Sequence, residues 1–177
     1  MRTKVLLDRN AIERTINRMT HEILEKNQGS RALCLIGIRT RGVYLANRIQ
    51  NKIKGIEGIK LPVGVLDITM YRDDISTMKS PEVRKTEIAF DVNNMTIILV
   101  DDVIHTGRTT RAAIDAIMDL GRPKKIQLAV LVDRGDRELP MHPDYAGLAY
   151  AVNAREEVHV RLGEVDGKDE VVVEKSS

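Results

Sequence analysis

The sequence predicts an α/β fold, a central parallel sheet flanked by helices. Three apolar runs carry that prediction, within Arg31–Ile38, Ile97–Val100 and Ile126–Val132. Each run is short and continuous rather than alternating, and each is bounded by polar residues. Strands of a parallel sheet buried on both faces have this form. The first two lead through a polar turn into a helical pattern, Leu45, Ile49 and Ile53 in one case and Ala113, Ile114, Ile117 and Met118 in the other. Strand, turn and helix in repetition is the α/β arrangement. The chain has 177 residues and neither repeats nor low-complexity segments, so one domain over 1–177 is expected, large enough for a core without staples.

Composition narrows the function classes. The formal net charge of +2 implies no nucleic-acid partner by itself. Aromatic content of 3%, without tryptophan, argues against a base-stacking surface for single strands. The single cysteine, Cys34, cannot form an internal disulfide and suits a reducing cytoplasm. Met1–Asn10 carries charges instead of an apolar leader, and 18 apolar residues never run together, so no membrane partner is expected.

The elements follow in chain order. A first helix is predicted from about Asp8 to Asn27, with Asn10 and Glu13 as a capping pair and Gly29 beyond its end. Ile12, Ile16, Met19 and Ile23 form its core stripe. Asn10, Arg14, Asn17, Arg18 and His21 fall on the opposite side, where Glu22 and Glu25 neutralise part of the charge. Taken alone, that face is an ordinary solvated one. The strand in Arg31–Ile38 ends at Arg39, Thr40, Arg41 and Gly42 before the next helix, a geometry suited to an anion, although arginines at an exposed helix start would look the same. Pro62–Tyr71 reads as a further strand. From Arg72 to Asn94 the chain is charged and nearly patternless, and a segment so long without structure is usually functional or disordered.

Ile97–Thr110 is the most informative stretch. Asp101 and Asp102 close an apolar strand at its carboxyl end, where open α/β sheets place ligands. Thr106, Gly107, Arg108, Thr109 and Thr110 then open a helix, whose unpaired amides and positive dipole end suit a phosphate. Carboxylates beside a phosphate cradle suit a phosphorylated ribose. An acid pair after an apolar strand also occurs in receiver domains and in NTPase magnesium sites. No Gly-x-x-x-x-Gly-Lys-Ser/Thr is present, which argues against a P-loop enzyme. The last apolar strand, Ile126–Val132, ends at Asp133, Arg134 and Gly135.

Four apolar residues, two acids and Thr-Gly-Arg-Thr resemble the phosphoribosyl pyrophosphate (PRPP) motif of the type I phosphoribosyltransferases. The resemblance implies that fold, with a small hood built from about Asp133 to Val160, a core over about 1–132 and hood and C-terminal strands over about 133–177. It implies catalytic roles for Asp101 and Asp102 on the ribose 2- and 3-hydroxyls, with magnesium held indirectly through PRPP and water. Val103, Ile104, His105, Thr106, Gly107, Arg108 and Thr109 would wrap the 5-phosphate, and Thr40, Arg41 and Gly42 the diphosphate, in a loop that often holds a non-proline cis peptide. The segment of about 72–94 matches a flexible loop that folds over PRPP, making Arg72, with Arg84 and Lys85, the candidate cations for pyrophosphate on closure.

Leu-Ala-Val-Leu-Val-Asp-Arg-Gly-x-Arg-Glu-Leu-Pro, with Ile-Thr-x-Tyr-Arg-Asp-Asp and Gly-Ile-Arg-Thr-Arg-Gly, is similar to the pyrimidine operon attenuation proteins, the PyrR family. The likeness extends from the first helix to the turn Glu164, Val165, Asp166, Gly167. It implies a uracil phosphoribosyltransferase, uracil plus PRPP giving UMP plus pyrophosphate, with base contacts from Val132, Asp133, Arg134 and Arg137. It also implies binding of pyrimidine-operon leader mRNA when loaded with UMP or UTP, through Arg14, Asn17, Arg18, His21 and Lys26, and assembly into a homo-oligomer. A salvage enzyme without an RNA role and a non-catalytic uridine-nucleotide sensor are the alternatives. Three departures stand out. Position 136 is Asp where the family usually has His, and Leu148–Asn153 reads Leu-Ala-Tyr-Ala-Val-Asn where the family carries Lys-Asn-Val-Pro-Thr-Ser. His105 replaces a common aromatic, at the position where purine phosphoribosyltransferases have an acid near the base, so it either fills the aromatic's place or acts on the base.

Overall fold

A computed structural model describes residues 3–175, so Met1, Arg2, Ser176 and Ser177 of the expected single domain lie outside the described residues. The first helix is α1, Arg9–Asn27. Its N-cap is Asp8, whose side chain accepts from the Ala11 amide at 2.7 Å, so the expected Asn10–Glu13 pair does not cap it. A left-handed Gln28 and Gly29 end the helix, returning their amides to Glu25 and Leu24.

The main sheet has the strand order β3-β2-β4-β5-β6, all parallel: β2 (Leu33–Ile38), β3 (Val63–Leu66), β4 (Thr96–Ile104), β5 (Lys125–Asp133) and β6 (Tyr145–Ala149). Strand alternation sorts one buried run into two cores. Leu33 and Leu35 pack with Ile98, Val100 and the apolar faces of α1 and α2 (Arg41–Glu57). Cys34 and Ile36 pack with Ile97, Leu99 and the alanine-rich face of α3 (Arg108–Leu120). Burial pushes the Cys34 thiol up to about 12, which leaves it a protonated core group.

Two expectations are corrected here. The strand read over Pro62–Tyr71 stops at Leu66, because Asp67 turns the chain by accepting from the Thr69 and Arg84 amides at 2.7 and 2.5 Å. The patternless segment is shorter than 72–94. Glu87 bridges to Val65, and Ile88, Phe90 and buried Val92 join the core beneath α3.

The hood also departs from its expected span. Tyr145–Ala149 joins the main sheet as β6. A separate antiparallel sheet has the order β1-β8-β7, from β1 (Thr3–Leu7), β7 (Glu156–Arg161) and β8 (Glu170–Lys175), with the short helix α4 (Gly163–Asp166) between its last two strands in sequence. The chain's first strand therefore completes a sheet whose other strands come from its last residues.

This order places the site. Leaving β2 the chain steps to one side for β3, then returns to the other for β4 and β5. The crevice at the carboxyl ends of β2 and β4 is such a reversal point, where open α/β sheets bind ligands.

Candidate active site

Two strand-to-helix loops face that crevice. The first, Arg39–Gly42 after β2, contains a cis peptide between Arg39 and Thr40. Its crossing into α2 depends on missing side chains. A Cβ at Gly37 would sit 2.5 Å from the Val43 Cα, and one at Gly42 would overlap the Val100 carbonyl of β4. Its two arginines are already engaged. Arg39 donates to the Lys85 carbonyl at 3.0 and 2.8 Å. Arg41 makes a paired contact with Asp166 of the hood, Nε to Oδ2 at 3.1 Å and Nη2 to Oδ1 at 2.8 Å. The bond from Arg41 holds the Asp166 carboxyl below the ordinary carboxylate range.

The second loop runs from the acid pair into α3. Asp101 is buried, and its Oδ1 accepts from the Asp102 amide at 2.9 Å. Burial first, and the neighbouring Asp102 charge second, push its carboxyl well above the usual range. Asp102, half-buried, lines a cavity of about 260 Å³ with Arg41, Val103, Asp166 and the hood residues Val158 and Val160. Gly107 holds a φ of 92° at the start of α3, and no side chain caps the helix there. The Arg108 amide donates to Thr106 Oγ1 at 3.3 Å, while those of Thr109 and Thr110 have no partner among the described residues, and amides at a helix start suit an anion.

The segment after β5 folds onto this loop. Amides of Glu138 and Leu139 both donate to the Thr106 carbonyl at 3.0 Å, and Arg134 donates its amide to Ile104. Arg137 and Asp133, the expected base contacts, are bonded to each other and tie the segment together. Arg137 donates to Asp133 Oδ1 at 2.7 Å, to the His105 carbonyl at 2.9 Å and to the Met141 carbonyl at 2.7 Å. Arg134 is different, since its Nε is buried without a partner among the described residues. The two departures at 105 and 136 face each other, His105 Nε2 lying 3.6 Å from Asp136 Oδ2.

The cations of the 72–94 segment do not gather at Arg41. Arg72 is tied to Asp74 at 2.8 Å and lies beside Thr106, Arg108 and Thr109 in a cavity of about 170 Å³. Arg84 pairs with Glu82, and Lys85 contributes its carbonyl to Arg39. Arg108 itself pairs with Asp73 and Glu138 at 2.7 and 2.5 Å.

The RNA candidates share the exposed face of α1, but two are engaged within the chain. Arg18 pairs with Glu22 and donates to the Gly147 carbonyl of β6 at 2.6 Å. Lys26 pairs with Asp144 at 2.8 Å and lies over the Tyr145 ring. Among the described residues no group of three or more His, Cys, Asp or Glu is placed to hold a metal. A magnesium ion keeps several waters and takes one or two carboxylates with substrate phosphates. Asp102, at the cavity wall, has the chemistry for it.

Residues 3–173 match the phosphoribosyl transferase domain family. The bifunctional protein PyrR of Halalkalibacterium halodurans is 53% identical over 178 aligned residues, covering 99% of each chain. The chain belongs to the PyrR family of phosphoribosyltransferases. Its PyrR relative from Pelotomaculum thermopropionicum is 57% identical over 95% of this chain and 93% of that one. Solved structures agree on the fold. A hypoxanthine phosphoribosyltransferase of Trypanosoma cruzi superposes with a TM-score of 0.73 at 16% identity, over 98% of this chain and 97% of that one. A hypoxanthine-guanine phosphoribosyltransferase of Bacillus anthracis gives 0.72 at 14%, over 99% and 100%. No helix is long and apolar enough to cross a membrane among the described residues.

Sequence reasoning missed Asp166. The turn Glu164–Gly167 was visible as a motif, but nothing in it signals a partner 125 positions away. Gly37 was also missed, although a glycine inside an apolar strand is a known sign of close backbone approach.

Proposed function

We propose that this protein transfers the phosphoribosyl group of PRPP to uracil, giving UMP and pyrophosphate, and binds pyrimidine-operon leader mRNA when loaded with UMP or UTP, promoting transcription termination. The observation that carries the catalytic half is the reversal point itself. Two anion loops flank one crevice, and the carboxylate of Asp102 shares a cavity with Arg41. In the reaction the C1–O bond to diphosphate breaks, the bond from uracil N1 to C1 forms, and the N1 proton is lost. The transition state is loose and cationic, so positioning and charge complementarity supply most of the rate.

Each region has its part. The Thr109 and Thr110 amides at the start of α3 hold the 5-phosphate, and Asp102 takes the ribose hydroxyls. Thr40, Arg41 and Gly42 receive the diphosphate. Magnesium, when bound with PRPP, neutralises phosphate charge beside Asp102. The unpartnered Nε of Arg134 is a donor matched to a pyrimidine carbonyl. Arg72 helps the phosphate loop, and closure of the segment after it excludes water. The reading implies a cytoplasmic homo-oligomer.

A plain uracil phosphoribosyltransferase is the second reading. The internal pairing of Arg18 and Lys26 favours it, because those charges are partly spent. One purified sample decides. UMP formation is expected, together with a uridine-nucleotide-dependent gel shift of leader RNA over a scrambled hairpin. Arg14→Glu is the variant to use, since Arg18 also anchors β6. It should flatten the salt dependence by nearly one contact, about 0.9 in log K per phosphate on duplex and about 0.7 on single strands. No nucleotide-dependent shift would remove the RNA role, and no UMP formation would remove the enzyme.

A further inference from the structure

The acidic turn of the hood grips α2 twice, in unequal ways. Arg48 is held by four bonds, two to Glu164 at 2.9 and 2.5 Å and two to Asp169 at 3.0 and 2.8 Å. It does not line the cavity that Asp102 lines. Arg41 does line that cavity, and Asp166 alone holds it, through one edge of the guanidinium, Nε and Nη2. Its Nη1 has no hydrogen-bond partner among the described residues.

Resting on the phosphoribosyl-transfer reading, we infer that Asp166 is a positioning residue for the leaving diphosphate: it fixes one edge of Arg41 so that Nη1 is kept for the phosphate oxygens. An arginine fork offers two usable edges, and anchoring one removes much of the rotamer freedom that binding at the other would otherwise cost. The anchor also decides where the charge rests. Asp102 already acts on Arg41 through space, and a guanidinium released from Asp166 would turn to it. That contact would occupy the carboxylate the ribose hydroxyls require. Asp166 is itself seated, its Oδ2 accepting from the Leu162 amide at 2.9 Å, so the position of the hood turn is passed to the pyrophosphate loop.

Asp166→Asn keeps the side chain's shape and an acceptor for Leu162 while removing the charge. Pyrophosphate affinity of the full chain with magnesium, read by calorimetry, should weaken about tenfold, the scale of losing a charged hydrogen bond, and KM for PRPP should rise alike. KM for uracil should stay within about twofold, Asp166→Glu should restore part of the affinity, and in an Arg41→Ala background Asp166→Asn should add less than about twofold. Glu164→Gln weakens the same turn's hold on Arg48, leaving Asp169, and is the control for mere hood stability. The inference is overturned if pyrophosphate affinity is unchanged in Asp166→Asn, if Glu164→Gln lowers it equally at a similar Tm loss, or if the effect persists in full without Arg41. If the wild-type chain forms no UMP, the uracil reading fails while the calorimetric result on Asp166 still stands.

Discussion

The loops Arg39–Gly42 and Val103–Thr109 share one local design, a buried parallel strand turning into a helix at the reversal point of the sheet, yet they are held in opposite ways. The second is held through its backbone groups, with the Arg137 guanidinium on the His105 carbonyl. Its Thr106 carbonyl receives two amides from the following segment, and at its helix start only the Arg108 amide has a side-chain partner, Thr106 Oγ1. The first is held by side chains from far along the chain, Arg39 by the Lys85 carbonyl and Arg41 by Asp166. A backbone cradle binds a phosphate wherever the strand ends. A cation on a long side chain needs an anchor, and its contribution depends on residues outside the motif.

The largest effect is expected between the loops, at the acid pair. Asp101→Asn with Asp102→Asn should abolish UMP formation in a folded chain, and wild-type kcat and KM for PRPP in that variant would refute the assignment. Asp101→Asn alone separates function from stability. Its carboxyl is raised above the ordinary value of 3.8 by burial, so the unfolded chain ionises first as pH rises. Stability is then lost between that ordinary value and the raised one. Asn should therefore raise Tm at neutral pH, by roughly 2–4 °C if the relief is about 1 kcal/mol, with the gain vanishing below about pH 4. A Tm gain that grew on acidification would have the wrong sign and would count against burial as the cause.

Next in size is Arg41→Ala, which should cost about 2–4 kcal/mol in kcat/KM for PRPP, the scale of removing a donor to charge that develops in the transition state. Uracil affinity should barely move. If uracil binding fell as far as turnover, Arg41 would serve only the hood contact with Asp166, and the two loops would differ in function as well as in support.

The contrast between the loops also marks what the sequence disclosed. Both strands, both helix starts and the acid pair were legible because apolar runs and the residues that close them act locally. Asp8 capping α1 in place of Asn10 is a shift of two residues within the same local chemistry. The hood was not legible in the same way, because β1 pairs with β8 across almost the whole chain and neither strand specifies the other. Ile88, Phe90 and Val92 did alternate as a packed edge should, but charged neighbours on both sides masked the period. That Asp133 and Arg137 also bond to each other was not legible either, because it follows from the geometry of their own loop.

Glycine substitutions should separate the loops by a different route and a smaller amount. Gly42→Ala drives a Cβ into the Val100 carbonyl, a backbone atom that cannot yield, so a stability loss of about 1–3 kcal/mol is expected. Gly107→Ala meets only ordinary contacts at 3.4 Å, and its penalty comes from a φ of 92°, about 1–2 kcal/mol for a left-handed L-residue. Urea denaturation of the two variants reads the difference. Equal stability of Gly42→Ala and wild type would mean that α2 does not pack against β4 this closely.

The smallest effect is expected at His105, where the second loop meets the base segment. Its ring lies 3.6 Å from the Asp136 carboxylate, which is 89% exposed, and its own side chain is 37% exposed. A pair so open to solvent contributes about 0–1 kcal/mol. The loop does not depend on it, because the His105 carbonyl is fixed separately by Arg137. His105→Phe should therefore change kcat/KM for uracil by less than about fivefold, about 1 kcal/mol, and leave its pH profile in place. A hundredfold loss with disappearance of one limb of that profile would make His105 a catalytic residue acting on the base. Asp136→Asn, which keeps the loop but removes the charge, should then reproduce part of the loss, whereas a ring that only fills space would be indifferent to it.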